Sequence, residues 1–173
     1  SWNNRGNATM IVWLPDTIEG AQAQLSRVNF DPAKYGTITA STCAANGIVD
    51  AVKDGRRPAS SADTTLDAWI SSGDSDKEWI QMVFDQPQTI ERLGLFWVSC
   101  DQVEVPADWR MEYLLDGSWY PFEKYITDVY GVSKDRFNTI HPAAELMCEG
   151  LRINISVQAG KSVGLFDLEL NLR

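Results

Sequence analysis

The sequence predicts an all-β protein, an antiparallel β-sandwich, and three observations support this fold class. Apolar and polar residues alternate along most of the chain, as they do in strands with one buried and one exposed face. Clusters of Gly, Pro, Asp and Asn separate these segments, which favours two packed antiparallel sheets over a parallel sheet with crossover helices. With 173 residues, a single domain can bury about 70% of its unfolded surface without disulfide or metal support.

Eight segments carry the alternating pattern and are predicted to be strands. Asp116-Gly117 is the clearest turn among them, because it supplies the left-handed backbone of a two-residue hairpin loop. The strand that contains Ile80 is expected to end at Gln86-Pro87. In chain order the predicted strands are 10–14, 37–42, 80–84, 93–97, 109–115, 119–122, 151–157 and 166–172.

The front of the chain is predicted to lie outside the sandwich. Residues 1–15 are expected to form an arm with one strand, and residues 16–36 a linker with a short helix at 18–28. The sandwich itself is expected to span residues 37–173. Because the chain begins with Ser1 and not with Met, either a leader has been removed or the chain is a piece of a longer protein, and we favour the second.

The charge balance excludes two classes of partner. Fifteen Lys and Arg against 24 Asp and Glu give a net charge of −9, which repels the phosphates of nucleic acids and of acidic membranes. No apolar run approaches the roughly 20 residues that a membrane-spanning helix needs. We therefore expect neither nucleic acid nor a membrane as a partner.

The cysteines argue against a disulfide framework or a zinc ribbon. Cys43, Cys100 and Cys148 are an odd number and have no CxxC spacing, which excludes both a fully paired set and a ribbon. One disulfide with one free thiol stays open, although we favour three small buried apolar side chains.

The sequence lacks the residues that common catalytic motifs require. His141 is the only histidine, whereas zinc sites of metalloproteases need two or more and a catalytic triad needs His beside an activated nucleophile. Its place before Pro142 indicates a structural role at the end of a strand. Neither GxGxxG nor GxxxxGK[ST] occurs, so no nucleotide site is indicated. The acidic residues between Asp63 and Glu78 lie among Ser and Thr, which indicates a solvated or calcium-binding loop, and we predict that the chain is not an enzyme.

Several short strings of residues, by their order and spacing, resemble a known family. Together they resemble the discoidin or coagulation-factor type C fold, and more narrowly the galactose-binding-like modules attached to bacterial polysaccharide-degrading glycoside hydrolases. The resemblance covers residues 38–173 and implies a jelly-roll β-sandwich of the galactose-binding domain-like type. The strings are Ile38–Ser41, Val52–Gly55, Trp69–Ser71, Glu78–Phe84, Val105–Trp109 and Gly164–Glu169.

A second resemblance lies at the front of the chain. Trp2–Gly6 and Met10–Pro15 are similar to the last strand segment of β-L-arabinofuranosidase-like hydrolases, in which β domains follow a catalytic barrel. This resemblance implies that residues 1–15 are the terminal strand of a preceding hydrolase β domain. It also implies that the catalytic residues lie upstream of this chain and that the protein is secreted, either periplasmic or extracellular.

Modules of this family bind sugars in a shallow site on loops at one end of the sandwich. A sugar ring stacks its apolar C–H face on Trp or Tyr, and its hydroxyls need paired donors and acceptors. The alternating pattern places Trp79, Trp97 and Trp109 in the core and leaves Trp119 ambiguous. From the resemblance and from loop position, the ligand-binding candidates are Trp69, Asp101, Tyr130, Arg136 and Asn138.

The resemblance also implies one structural calcium ion. Relatives hold this ion between a loop that matches Asp54-Gly55 and an acid in the last strand, which by position is Asp167. Oxygen ligands from a loop rich in Asp, Ser and Thr suit calcium. Lys53 and Ser61 would add carbonyl or hydroxyl oxygens, and Asp63 a carboxylate.

The two resemblances therefore imply a noncatalytic carbohydrate-binding or accessory module at the C-terminus of a secreted bacterial glycoside hydrolase. Its predicted partners are a neutral plant-type or host-type glycan and the catalytic domain of the same parent chain. The alternative is a structural spacer that packs against the catalytic domain and binds no ligand. A spacer predicts an uncovered apolar patch and loop ends without an aromatic platform. An adhesion module for lipid or protein is a third class, which the acidic charge disfavours.

Overall fold

The computed structural model describes residues 36–171, and they form nine strands and one short 3₁₀ helix at Val49–Lys53. The arm predicted at 1–15 and the linker predicted at 16–36, with its helix, lie outside the described residues except for Gly36. The strands are β1 Gly36–Ala40, β2 Trp69–Ile70, β3 Lys77–Ile90, β4 Arg92–Trp97, β5 Asp108–Leu115, β6 Ser118–Pro121, β7 Asn138–Ile140, β8 Leu146–Ser156 and β9 Gly164–Asn171.

The strands form two antiparallel sheets, and the predicted all-β jelly-roll sandwich is confirmed. One sheet has five strands in the order β1-β3-β8-β5-β6, and the other has four in the order β2-β9-β4-β7. Every pairing between neighbouring strands is antiparallel. No helix among the described residues is long and apolar enough to cross a bilayer.

Most strands fall where the alternation predicts them, and the exceptions have physical causes. β2 and β7, with two and three residues, are too short to show a period, and the sequence analysis missed both. β3 passes through Pro87, where we expected it to end. The register with β8 shifts between Val83 and Gln88, so Pro87, which has no N–H to donate, lies in a bulge outside the ladder.

Three tryptophans fill the space between the sheets. Trp69, Trp97 and Trp109 are buried almost completely, and the last two pack edge to face with ring centroids 5.8 Å apart. Both of these indole N–H groups donate to the carbonyl oxygen of Gly131, at 3.2 and 2.8 Å. Since Trp97 belongs to the four-stranded sheet and Trp109 to the five-stranded sheet, one loop carbonyl connects the two layers.

The prediction that Trp79 belongs to the core is wrong. Trp79 is only partly buried, while its neighbours Ile80 and Met82 supply the core side chains of β3. Because successive side chains of a strand alternate between faces, Trp79 lies on the outer face of the five-stranded sheet.

A second, smaller apolar cluster lies on the outer side of the four-stranded sheet. Phe96 contacts Phe137 and Phe166 edge to face, at centroid distances of 5.2 and 6.4 Å. Ala68 and Leu66, from the long connection between the 3₁₀ helix and β2, pack against this cluster. The length of that connection is therefore explained by the apolar surface that it covers.

The structure confirms the predicted hairpin turn, and it confirms the predicted burial for only one of the three cysteines. Asp116 and Gly117 have φ angles of 50° and 74°, as the hairpin turn between β5 and β6 requires. All three cysteines are unpaired: Cys43 is exposed, Cys100 is partly buried and Cys148 is buried. Only Cys148 matches the expected small buried side chain.

We predict that thiol reagents distinguish Cys43 from Cys148. Burial raises the pKa of Cys148 to about 12, so its reactive thiolate is scarce at pH 8, and the exposed Cys43 is expected to be labelled first. Maleimide labelling followed by peptide mass spectrometry measures both rates. Cys148 is expected to react only after denaturant is added, and rapid labelling of Cys148 in the folded protein would contradict its placement.

Candidate functional site

Five connecting segments gather at one end of the sandwich, which we call the rim. β1, β2, β4 and β8 end there, and β3, β5, β7 and β9 begin there, because neighbouring strands run in opposite directions. Loops on a rigid scaffold are common positions for binding groups. The segments of the rim are 41–48, 71–76, 98–107, 131–137 and 157–163.

Hydrogen bonds hold the rim segments together. Ser61, which is buried, donates its backbone N–H to Asp135 Oδ1 at 2.7 Å and accepts the Asp135 N–H on its hydroxyl at 2.8 Å. Its carbonyl accepts the N–H of Ser99. Glu104 pairs with Lys134 at 2.9 Å and accepts the Ser99 hydroxyl at 2.8 Å. Ser61 therefore connects loops through all of its polar groups.

Two of the predicted ligand-binding residues are buried and serve the fold. Trp69 has no exposed surface, and its indole N–H donates to the Thr42 carbonyl at 2.8 Å. Asn138 is 5% exposed. Its amide donates to the carbonyl of Ser133 at 2.9 Å and accepts the N–H of Ser133 at 2.8 Å. Neither side chain offers a face or a free polar group to a ligand, so both assignments are corrected.

The other three predicted residues reach the surface to different degrees. Asp101 and Arg136 are exposed, and Asp101 has a φ of 53° in a tight turn closed by mutual backbone bonds between Cys100 and Val103. Tyr130 is half-buried. Its ring packs edge to face on Trp109 at 4.7 Å, and its hydroxyl donates to the Phe122 carbonyl at 3.2 Å. Burial raises the pKa of Tyr130, in keeping with an anchoring role.

Among the described residues, the five rim segments lack an exposed aromatic ring. Its five segments contain one aromatic residue, Phe137, and that ring packs against Phe96. This absence could have been noticed in the sequence, because the rim segments are rich in Ser, Ala, Gly and Asp. The rim thus supplies polar groups but no ring on which a sugar could stack.

The predicted calcium ligands do not form an acidic cluster. Residues 36–171 contain no group of three or more His, Cys, Asp or Glu side chains placed for a metal. Asp54 accepts the N–H of Arg56 at 2.7 Å. Asp63 accepts hydrogen bonds from Thr65 and Ala59, which lower its pKa, and the Lys53 ammonium donates to the Gly36 carbonyl. Asp167 is buried in β9, and the calcium ion itself stays a prediction.

The outer face of the five-stranded sheet carries the aromatic surface that the rim lacks. Because β3, β8 and β5 are in register and side chains alternate between faces, their outward residues align in rows across the strands. The row nearest the rim is Lys77, Ser156 and Asp108. The next is Trp79, Asn154 and Arg110, and the third is Gln81, Arg152 and Glu112.

A shallow pocket of about 230 Å³ lies over the first two rows. Its wall on one side is Trp79, and Arg110 stands on the other, paired with Asp108 at 2.5 Å. Asn154 and Ser156 of β8 lie between them. We call this feature the outer-face pocket. It combines an indole with donors and acceptors on opposite sides, as a binding site for a small polar ring requires.

Arg152 supports the pocket from the third row. Its guanidinium lies 4.0 Å from the ring centroid of Trp119 and 5.7 Å from that of Trp79. Nε donates to Gln81 at 2.8 Å, and Nη1 is 3.6 Å from Glu112. Such cation–π contacts and charge-assisted hydrogen bonds restrict the motion of both indoles. The structure therefore holds Trp79 in place before any ligand arrives.

The fold and the loop-rich rim define the class of protein as a galactose-binding-like jelly roll. Residues 37–160 match the model of the F5/8 type C domain. The chain belongs to the F5/8 type C domain family. No curated protein matches the sequence.

Solved structures of similar fold come from carbohydrate-active proteins. A chain of BgaA, the β-galactosidase of Streptococcus pneumoniae, superposes with a TM-score of 0.65 at 10% identity, covering 80% of this chain and 92% of that one. Chitosan-binding module 1 of a Paenibacillus sp. IK-5 chitosanase/glucanase gives 0.61 at 18% identity, with coverage of 81% and 97%. The family 32 carbohydrate-binding module of Clostridium perfringens NanJ, solved with galactose, gives 0.62 at 10% identity, with coverage of 80% and 95%. At these identities the likeness establishes the fold.

We predict that Asn138→Ala destabilises the protein, whereas Arg136→Ala does not. Removing the buried amide leaves the carbonyl and N–H of Ser133 without their partner, which costs about 2 kcal/mol. Arg136 is exposed, and its truncation is expected to stay within about 0.5 kcal/mol. Urea unfolding followed by tryptophan fluorescence measures both. Equal effects would contradict the structural role of Asn138.

We predict that the Glu104–Lys134 pair stabilises the rim in a pH-dependent way. Burial acts to raise the pKa of Glu104, but hydrogen bonds from Lys134, Val105 and Ser99 outweigh it, and the pKa falls below its ordinary value of 4.5. The stabilisation is present above that value and is lost as the pH falls through the lowered pKa. Glu104→Gln should therefore be less stable than wild type at pH 7, with the gap closing at low pH. The exposed Glu123→Gln is the control, and a gap independent of pH would contradict the assignment.

Proposed function

We propose that this chain is a noncatalytic carbohydrate-binding accessory module of a glycoside hydrolase, and that the outer-face pocket is the site that contacts the sugar. The observation that carries the proposal is the partly buried indole of Trp79, which lines a pocket beside Asn154, Ser156 and Arg110. An indole offers a flat apolar surface to the C–H face of a sugar ring. The polar side chains supply the donors and acceptors that ring hydroxyls need.

The similar structures support the same class of function. Two of them are carbohydrate-binding modules by name, one for chitosan and one solved with galactose. Another relative in fold was solved with GalNAc-β-1,3-galactose. These are distant relatives, and their sugars differ, so the similarity supports a glycan partner without naming the sugar.

The parent protein is also part of the proposal. We propose that the chain follows the catalytic barrel of a secreted bacterial hydrolase similar to β-L-arabinofuranosidases, in the periplasm or outside the cell. The support is the resemblance of Trp2–Gly6 and Met10–Pro15 to the strand that precedes such modules. The catalytic domain would then be the second partner of this chain.

A glycan titration tests the binding function. We expect the chain to bind one or more of the oligosaccharides of arabinose, galactose and uronic acids weakly, with a change in tryptophan fluorescence or NMR shifts. Trp79→Ala is expected to reduce affinity about tenfold or more, because stacking on the indole is lost. Tyr125→Ala is the matched control, since Tyr125 is an exposed ring at a separate pocket. Titrations with calcium and with EDTA test the ion separately.

The outcomes distinguish the two possible sites. If Trp79→Ala weakens binding and Tyr125→Ala does not, the outer-face pocket is the site. If Asp101→Ala or Arg136→Ala weakens binding and Trp79→Ala does not, the sugar binds at the rim and the assignment to the pocket is wrong. If no oligosaccharide in the panel binds, the carbohydrate-binding function is contradicted.

A structural spacer is the second candidate, and two observations favour it. The connection between β6 and β7 exposes Tyr125, Ile126 and Val129 by 52%, 88% and 70%, and the rim has no aromatic platform. These are the two features that a spacer predicts. Three results together would support the spacer. No glycan binds in the titration, the parent enzyme is inactivated more slowly by heat when the module is attached, and Ile126→Asp removes this protection.

A further inference from the structure

We propose that the outer-face pocket prefers a saccharide that carries a carboxylate, such as a uronic acid, over a neutral sugar of the same size. This inference rests on the proposed function and names the ligand class of the same site. It differs from the neutral glycan that the sequence predicts. The residues that carry it are Lys77 and Ser156, at the rim side of the pocket.

One cation of the pocket, Lys77, is not in an ion pair with a carboxylate of the described residues. Arg110 is paired with Asp108 at 2.5 Å, and Arg152 lies 3.6 Å from Glu112. Lys77 forms none of the ion pairs found among residues 36–171. The three rows described above therefore hold three cations and two carboxylates. A third carboxylate, Glu78, also lines the pocket, but it is buried and accepts hydrogen bonds from the hydroxyls of Ser41 and Thr42.

Lys77 and Ser156 form a pair of donors that matches the two oxygens of a carboxylate. The Lys77 ammonium donates to the Ser156 hydroxyl oxygen at 2.7 Å, which leaves the hydroxyl hydrogen free to donate elsewhere. The ammonium has three N–H groups and uses one in this bond. A carboxylate that accepts from both groups would make two charge-assisted or polar hydrogen bonds, which are stronger than those of a neutral hydroxyl.

The position of Trp79 orients the sugar for this contact. Lys77 and Trp79 are two residues apart in β3, so both side chains lie on the same face. A sugar ring against Trp79 would direct a substituent toward Lys77 and Ser156 in the adjacent row. Asp108 lies in that row beyond Ser156, and Asp76 precedes Lys77 in the chain. Both add negative charge nearby, and this keeps the expected preference modest.

The test compares two trisaccharides of equal length, trigalacturonate and galactotriose, by calorimetric titration of the full chain at low salt. We expect trigalacturonate to bind about three- to tenfold more tightly. Raising the salt concentration should shrink this ratio, because an exposed charge pair is screened. Lys77→Met should bring the ratio to about one, chiefly by weakening the binding of trigalacturonate, and Lys77→Arg should restore most of the preference.

Lys161→Met is the matched control, because Lys161 is a rim lysine outside the pocket whose ammonium contacts only the Gln102 amide, at 3.4 Å. If Lys161→Met lowers the ratio of the two affinities as much as Lys77→Met does, the preference is a general charge effect and the inference is overturned. If galactotriose binds and the ratio is one, the inference fails while the carbohydrate-binding function stands. If neither trisaccharide nor any other glycan binds, both fail. Circular dichroism of Lys77→Met, compared with wild type, verifies that the exposed substitution leaves the fold intact.

Discussion

The carbonyl oxygen of Gly131 is the contact on which the rim end of this sandwich depends. It accepts the indole N–H groups of Trp97 and Trp109, one from each sheet. Each of the two buried indole N–H groups would cost free energy if left without a partner. A Cβ at position 131 would lie 2.6 Å from Asn138 Oδ1, so the site needs glycine. Asn138 in turn holds the loop through Ser133, and its polar atoms are thereby committed to the fold.

The use of rim side chains for hydrogen bonds within the protein explains where groups that could contact a ligand remain. At the rim, hydrogen bonds within the protein use Ser61, Glu104 and Asn138, and the one aromatic ring is packed. On the outer face of the five-stranded sheet, the strands themselves set the spacing of side chains. Trp79, Asn154 and Arg110 align because three strands are in register, and Arg152 restrains the indole without covering the pocket. A stiff sheet therefore positions these groups more accurately than the loops could.

The alternating pattern was sufficient to predict most of the fold. It placed the strands from β1 to β9 except β2 and β7, and it assigned Trp97 and Trp109 to the core correctly. It failed at Trp79, because residues on both faces of that strand are apolar or aromatic and the period alone does not say which face is buried. The outer-face pocket could not be predicted, since it joins residues of β3 and β8 that are 75 or more positions apart, and only the register brings them together. Trp69 and Asn138 were chosen by resemblance and loop position, which carry no information about burial.

The cover that Leu66 and Ala68 place over Phe96 and Phe166 makes the domain one-sided. Among the described residues, the connection that contains Leu66 and Ala68 covers an apolar part of one broad face of the sandwich, and the opposite face presents indoles, amides and charges. The two broad faces of the domain therefore differ in their chemistry. In the parent enzyme proposed above, this asymmetry would make the stretch of polymer that the enzyme meets depend on how the module is attached to the catalytic domain.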